Sequence, residues 1–117
     1  MVKIDTLRKA AMTLPEASEE PHFEKTSFRV KKKIFVTIDL SKNLACFKLS
    51  EIDQDTFSSI HNAAIYPIPN KWGKLGWTFV ELKKVNKALL IDILTTAYCE
   101  VAPKILAEQV RTAGKAR

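Results

Sequence analysis

The chain predicts an α+β domain with two layers, an antiparallel β-sheet and helices packed on one of its faces. Three features lead there. Apolar residues recur at helical spacing near both ends, as Ile4, Leu7, Ala11 and Leu14 and again as Leu89, Leu90, Ile93, Leu94, Ala97 and Val101. Between them, segments alternate apolar and polar residues with the period of two that a strand imposes. The connectors between those segments are short, as antiparallel neighbours allow. The expected order is helix, three strands, helix, two strands, helix or helices.

The 117 residues suit one domain, 1–117, able to bury a core without disulfides or metal. The first helix runs from Val2 to Thr13 and stops where Pro15 disfavours helical geometry at Leu14. Glu16, Ser18, Glu19 and Glu20, ahead of Pro21, read as an acidic connector. Phe23 to Val30 and Lys33 to Asp39 form a hairpin with a cationic tip, and Leu44 to Leu49 completes a meander after the turn residues Ser41, Lys42 and Asn43. Ser50, with Asp53 three residues on, caps a helix whose apolar stripe is Ile52, Phe57 and Ile60 and which ends near His61.

The second half is legible in the same way. Ile65 to Pro69 carries two prolines and reads as an irregular or edge strand, Asn70 to Gly76 as a loop, and Trp77 to Leu82 as a strong strand. Asn86 caps a long helix, and Pro103 restarts it as a short one through Ile105, Leu106 and Val110. From Arg111 to Arg117 the chain is small and basic, so a flexible tail is expected over 111–117.

Lysine and arginine total 19 against 13 acidic residues, a formal charge of +6 and a pI near 9.4, which favours an anionic partner such as nucleic acid or an acidic protein. Cys46 and Cys99 lack the spacing of a zinc or redox motif and read as reduced, packed thiols. The N-terminal residues lack a signal-peptide core and no segment is apolar enough to span a bilayer, so the expected location is cytoplasmic, without a membrane partner.

Catalysis needs convergent groups, and the sequence offers few. His22 and His61 have no ligand or acid at a useful spacing. Ser27, Ser58 and Ser59 fit no nucleophile pattern, and Gly73 and Gly76 no phosphate loop. The expectation is a non-catalytic protein with no metal and no cofactor.

Two loops carry a binding signal. Arg29, Lys31, Lys32 and Lys33 crowd the first hairpin, and Lys71, Trp72 and Lys74 occupy the loop before the last strand. Lysines of that kind can neutralise phosphates while Trp72 wedges or stacks, which makes DNA the expected partner. Solvated tips and protected strand edges also use lysine, so the charge by itself has a plainer explanation. A second surface competes. If Val30, Ile34, Val36, Val80 and Leu82 face the helices, then Phe35, Trp77 and Phe79 form an aromatic face for a protein partner, unless loops, a helix or a bulge cover or rephase it. A small-molecule site would require a pocket bringing His22 or Tyr98 together with other polar groups.

Leu14-Pro15-Glu16, Pro21-His22-Phe23, Phe28-Arg29-Val30, Lys33-Ile34-Phe35-Val36, Gly76-Trp77 and Ala97-Tyr98 occur in an order that resembles the MmcQ/YjbR family over almost the whole chain. The resemblance implies a CyaY-like, or secretion-chaperone-like, α+β domain of bacterial type, and a double-wing mode of DNA binding through the same two loops. Two departures stand out. Lys32 occupies a position where the family often has glycine, and Ala97 precedes Tyr98 where serine is common.

Overall fold

The structure is a computed structural model describing residues 2–115, with side chains described through Thr112. Its sheet has six strands in the order β1-β2-β3-β4-β6-β5, every neighbouring pair antiparallel. The strands are β1 (Ala17–His22), β2 (Lys25–Val30), β3 (Lys33–Asp39), β4 (Leu44–Lys48), β5 (Ile65–Pro67) and β6 (Trp77–Glu81). The helices are α1 (Ile4–Met12), α2 (Glu51–Ile60), the single turn α3 (Lys71–Lys74), α4 (Lys87–Val101) and α5 (Lys104–Lys115).

Local chemistry explains most of the boundaries. Ser50 Oγ accepts from Asp53 N at 3.1 Å and Asn86 Oδ1 accepts from Leu89 N at 2.8 Å, so α2 and α4 begin at the caps expected for them. One face of the sheet supplies Phe28, Val30, Val36, Ile38, Ala45, Phe47, Ile65 and Val80 to a single core. The helices close it with Leu7 and Ala11 of α1, Phe57 of α2, Leu90, Ile93, Leu94 and Tyr98 of α4, and Leu106 of α5. Val2, whose amide donates to Leu82 O at 2.9 Å, ties the chain's start to the end of β6.

Several expectations are corrected. The acidic stretch is not a connector: it is β1, an edge strand paired with β2 from Ala17↔Val30 to His22↔Lys25. Its backbone ladder sets it there, and Pro21 is tolerated because an edge strand needs only one row of partners. Phe23 therefore sits in a two-residue turn at φ +59, with 94% of its surface exposed, rather than in a strand. On α2 only Phe57 of the expected stripe is buried, while Ile52 and Ile60 are exposed. Gln54 turns inward instead, because its amide donates to Gly73 O at 2.9 Å and Thr78 Oγ1 at 3.1 Å. The final helix continues through Lys115 into the tail expected from Arg111, and residues 116 and 117 of that tail lie outside the described residues.

The largest correction concerns Phe35. In β3 Val36 pairs with Phe28 and Ile34 with Arg29, which leaves Phe35 as the extra residue of a β-bulge. The bulge shifts the side-chain phase. Phe35 turns to the helix side and is fully buried, its ring edge-on to Tyr98 at 5.4 Å, while Ile34 moves to the opposite face beside Arg29. Phe35 is thus no part of an aromatic partner surface.

Tyr98 completes this contact by donating its hydroxyl to Pro15 O at 2.6 Å, a link across 83 residues. Burial pushes its phenol above the ordinary value. Replacing Tyr98 with Phe leaves the Pro15 carbonyl without this donor and should cost about 1–2 kcal/mol of unfolding free energy. Urea denaturation of Tyr98→Phe beside the native chain measures it, and an unchanged midpoint would show the bond to be energetically idle.

Candidate nucleic-acid interface

The register places both basic loops at one end of the sheet. β2 reaches that end at Val30 and turns through Lys31 and Lys32 into Lys33, its cross-strand partner. β4 arrives there at Lys48, opposite Trp77, so β6 starts there and α3 directly precedes it. The first turn lies between β2 and β3, and α3 connects the adjacent strands β5 and β6. The two tips are therefore about three strand spacings apart, or ~14 Å.

Each tip has a defined shape. Lys31 and Lys32 have φ of +50 and +70, the pair of left-handed residues that a type I′ hairpin turn requires. Lysine adopts this region at a cost that glycine avoids, so the charge is carried on a strained turn. The second tip is an ordered helical turn, not the open loop expected from Asn70 to Gly76. Asn70 Oδ1 accepts from Trp72 N at 2.8 Å and starts it. A Cβ on Gly73 would meet Ile68 O at 2.0 Å, and one on Gly76, at φ +104, would meet Leu49 O at 1.8 Å. Only glycine lets the turn press against β5 and the end of β4.

The cations are not equally available. Lys31 Nζ lies 2.6 Å from Glu16 Oε1. Arg29 Nε donates to Ser27 Oγ at 3.1 Å and lies 3.9 Å from Glu20 Oε2. Both acids flank or belong to β1, where the sequence predicts an acidic connector. Lys32, Lys33, Lys71 and Lys74 are exposed and make no ion pair among the described residues. Trp72 is 49% exposed, with Lys71 Nζ 5.7 Å from its ring centre.

The structure adds residues that charge counting along the chain did not group with these tips. Lys48 stands at the same end, and Trp77 beside it is half-buried. Trp77 and Phe79 remain on the face away from the helices, as expected, with Tyr66 joining them from β5. Only the cross-strand register reveals that grouping.

Little here supports acid–base or nucleophilic chemistry. Cys46 is buried and its thiol is pushed up to about 12 by that burial, while the thiol of half-buried Cys99 is raised for the same reason. His22 stacks edge-on to Phe23 at 4.9 Å. No group of three or more His, Cys, Asp or Glu residues among those described could hold a metal ion. A groove of about 980 Å³ is lined by residues of α1, α4 and α5 such as Ala10, Ile91, Thr95 and Val110, and neither His22 nor Tyr98 lines it. No described helix is long and apolar enough to cross a membrane.

A family model described as YjbR matches residues 12–100. No curated protein matches the chain. Among solved structures it is similar to the crystal structure of Deinococcus radiodurans protein DR2400, a DUF419 domain, with a TM-score of 0.76 over 94% of this chain and 88% of that one. The two are 22% identical, so the likeness speaks for the fold alone.

Two measurements test this geometry. Lys32→Gly relieves the left-handed strain and should stabilise the protein by about 0.5–1 kcal/mol, read as a raised denaturation midpoint. A fall would mean that the Lys32 side chain contributes more than its backbone costs. Tyr66 donates its hydroxyl to Glu81 Oε2 at 2.7 Å, which raises its own ionisation to about 12 and lowers that of Glu81. The bond's contribution is therefore present below pH ~10, the ordinary tyrosine value, and lost as pH rises towards the raised one. At the acid end it is present above the ordinary carboxylate range and lost as pH falls through the lowered Glu81 value. In an ultraviolet absorbance titration, Glu81→Gln should bring one tyrosine back towards ~10; an unshifted curve would dismiss the pair.

Proposed function

The chain belongs to the YjbR family over residues 12–100, a span that holds both basic loops, and we propose that it binds DNA without catalysing a reaction on it. The two loops act as wings. Lys32 and Lys33 on one side and Lys71 and Lys74 on the other contact backbone phosphates, and Lys31 and Arg29 join them as their acidic partners give way. Trp72 wedges or stacks beside the second loop.

The observation that carries this reading is the shared end of the two tips, ~14 Å apart. That separation is close to the ~12 Å width of a major groove, so the tips can meet phosphates on its two rims. Exposed lysines there have little of their own charge to satisfy within the fold. A cytoplasmic location belongs to the same reading, since DNA and free thiols coexist there. Asp53 and Glu51, in the first turn of α2 near this end, limit how far a duplex can extend towards the helices.

Phosphate contacts make binding salt-dependent. Four lysines neutralising four phosphates give a slope of about −3 to −4 for log affinity against log salt. Fluorescence anisotropy with a labelled duplex, from low to near-physiological salt, measures that slope. Lys31/Lys32/Lys33→Ala and Lys71/Lys74→Ala should each flatten it and weaken binding, whereas Glu16→Gln, by releasing Lys31, should tighten binding slightly. Absence of saturable binding at low salt, or indifference to both lysine variants, would end the wing model.

A further inference from the structure

The face of the sheet away from the helices is built from two kinds of side chain. Trp77, Phe79 and Tyr66 form its aromatic side and belong to no part of the helix-covered core. Tyr66 is held edge-on to Phe79 at 5.9 Å, its hydroxyl already engaged by Glu81. Trp77 and Phe79 are two residues apart on one strand, which spaces them by ~7 Å. All three residues are half-buried.

Charge on this face is graded. Arg29 and Lys48 lie towards the end that carries the basic loops, with Lys48 directly opposite Trp77. Asp39 and Glu81, each across from Leu44, lie towards the other end, where Lys25 of β2 and Lys84, 3.2 Å from Glu81, balance them, so the unbalanced positive charge is at the loop end. Glu20 lies between, paired with Ser27 across β1 and β2. An anionic chain running between the two loops would thus pass the rings on their cationic side.

Building on the proposed DNA-binding role, in which the loops by themselves contact a duplex, we infer that the sheet face beside them takes single-stranded nucleic acid, with unpaired bases lying on Trp77 and Phe79. A duplex buries the faces of its bases against one another, so aromatic side chains on a sheet face can meet only its outer edges. An unpaired strand offers a face from every base, and such stacking tolerates any sequence. The ~7 Å spacing of the rings is twice the 3.4 Å rise of a stacked strand, which suits bases splayed apart. A protein partner fits less well, because interface centres are depleted of lysine and Lys48 stands beside the principal ring.

The test separates this inference from the reading beneath it. Trp72→Phe leaves Trp77 as the sole tryptophan. That variant is titrated at low salt with an oligothymidylate of about twelve nucleotides and with a duplex of the same length. The single strand should bind about tenfold tighter than the duplex and quench Trp77 emission. Trp77→Leu and Phe79→Leu, checked by circular dichroism for native folding, should each weaken the oligothymidylate about tenfold and leave the duplex unchanged. Equal binding of the two forms with unaltered Trp77 emission overturns the inference while leaving phosphate contact by the loops intact. Binding of neither form overturns both and returns the rings to a protein partner.

Discussion

A single inserted residue in β3 decides how the two layers of this protein meet. The bulge at Phe35 sends that ring towards α4, where it packs on Tyr98, and Tyr98 in turn holds the Pro15 carbonyl at the exit of α1. Sheet, long helix and N-terminal helix are thereby fastened at one point. The same insertion lets Val30 face Lys33 directly, and a two-residue turn is all that remains to join β2 to β3. The cationic tip and the core contact are two results of one change of phase.

The charges are arranged around that tip with some economy. β1 carries Glu19 and Glu20 along the sheet edge, and Glu16 just before it reaches Lys31. Arg8 of α1 lies 2.9 Å from Glu19, which joins the helix layer to the same edge. An edge strand with acidic residues and a proline is also a poor template for another chain, and β5, short and ending in Pro67, is a poor one on the far side. The exposed lysines of the two tips are left as the open positive charge of this end. Strain accompanies them, since Lys31 and Lys32 occupy left-handed backbone that asparagine or glycine would take at lower cost.

The second tip depends on packing rather than on charge. Gly73 and Gly76 let α3 settle against backbone carbonyls of Ile68 and Leu49, and Gln54 reaches from α2 to hold Gly73 O and Thr78 Oγ1. A buried glutamine amide is sustained here because each donor has an acceptor. The result is a rigid platform for Lys71, Trp72 and Lys74. Such rigidity would lower the ordering cost of any contact they make.

Helices and strands with strong local signals were legible from the chain: the capped starts of α2 and α4, the proline breaks near Leu14 and Pro103, the existence of β3 and β4, and the alternation of β6. So were the positions of the two clusters of lysine and the aromatic pair Trp77 and Phe79. β1 was not, because Ala17-Ser18-Glu19-Glu20-Pro21-His22 has no apolar alternation and becomes a strand only by bonding to β2. Nor was the burial of Gln54 in place of Ile52, which depends on acceptors 19 and 24 residues away. Composition and periodicity by themselves determined the class of fold, its element types and its excess of positive charge, because those follow from neighbours in the chain. The face taken by Phe35 and the common end shared by the two basic loops were decided by the tertiary structure alone, since both follow from strand register, a relation between residues that only the folded sheet brings together.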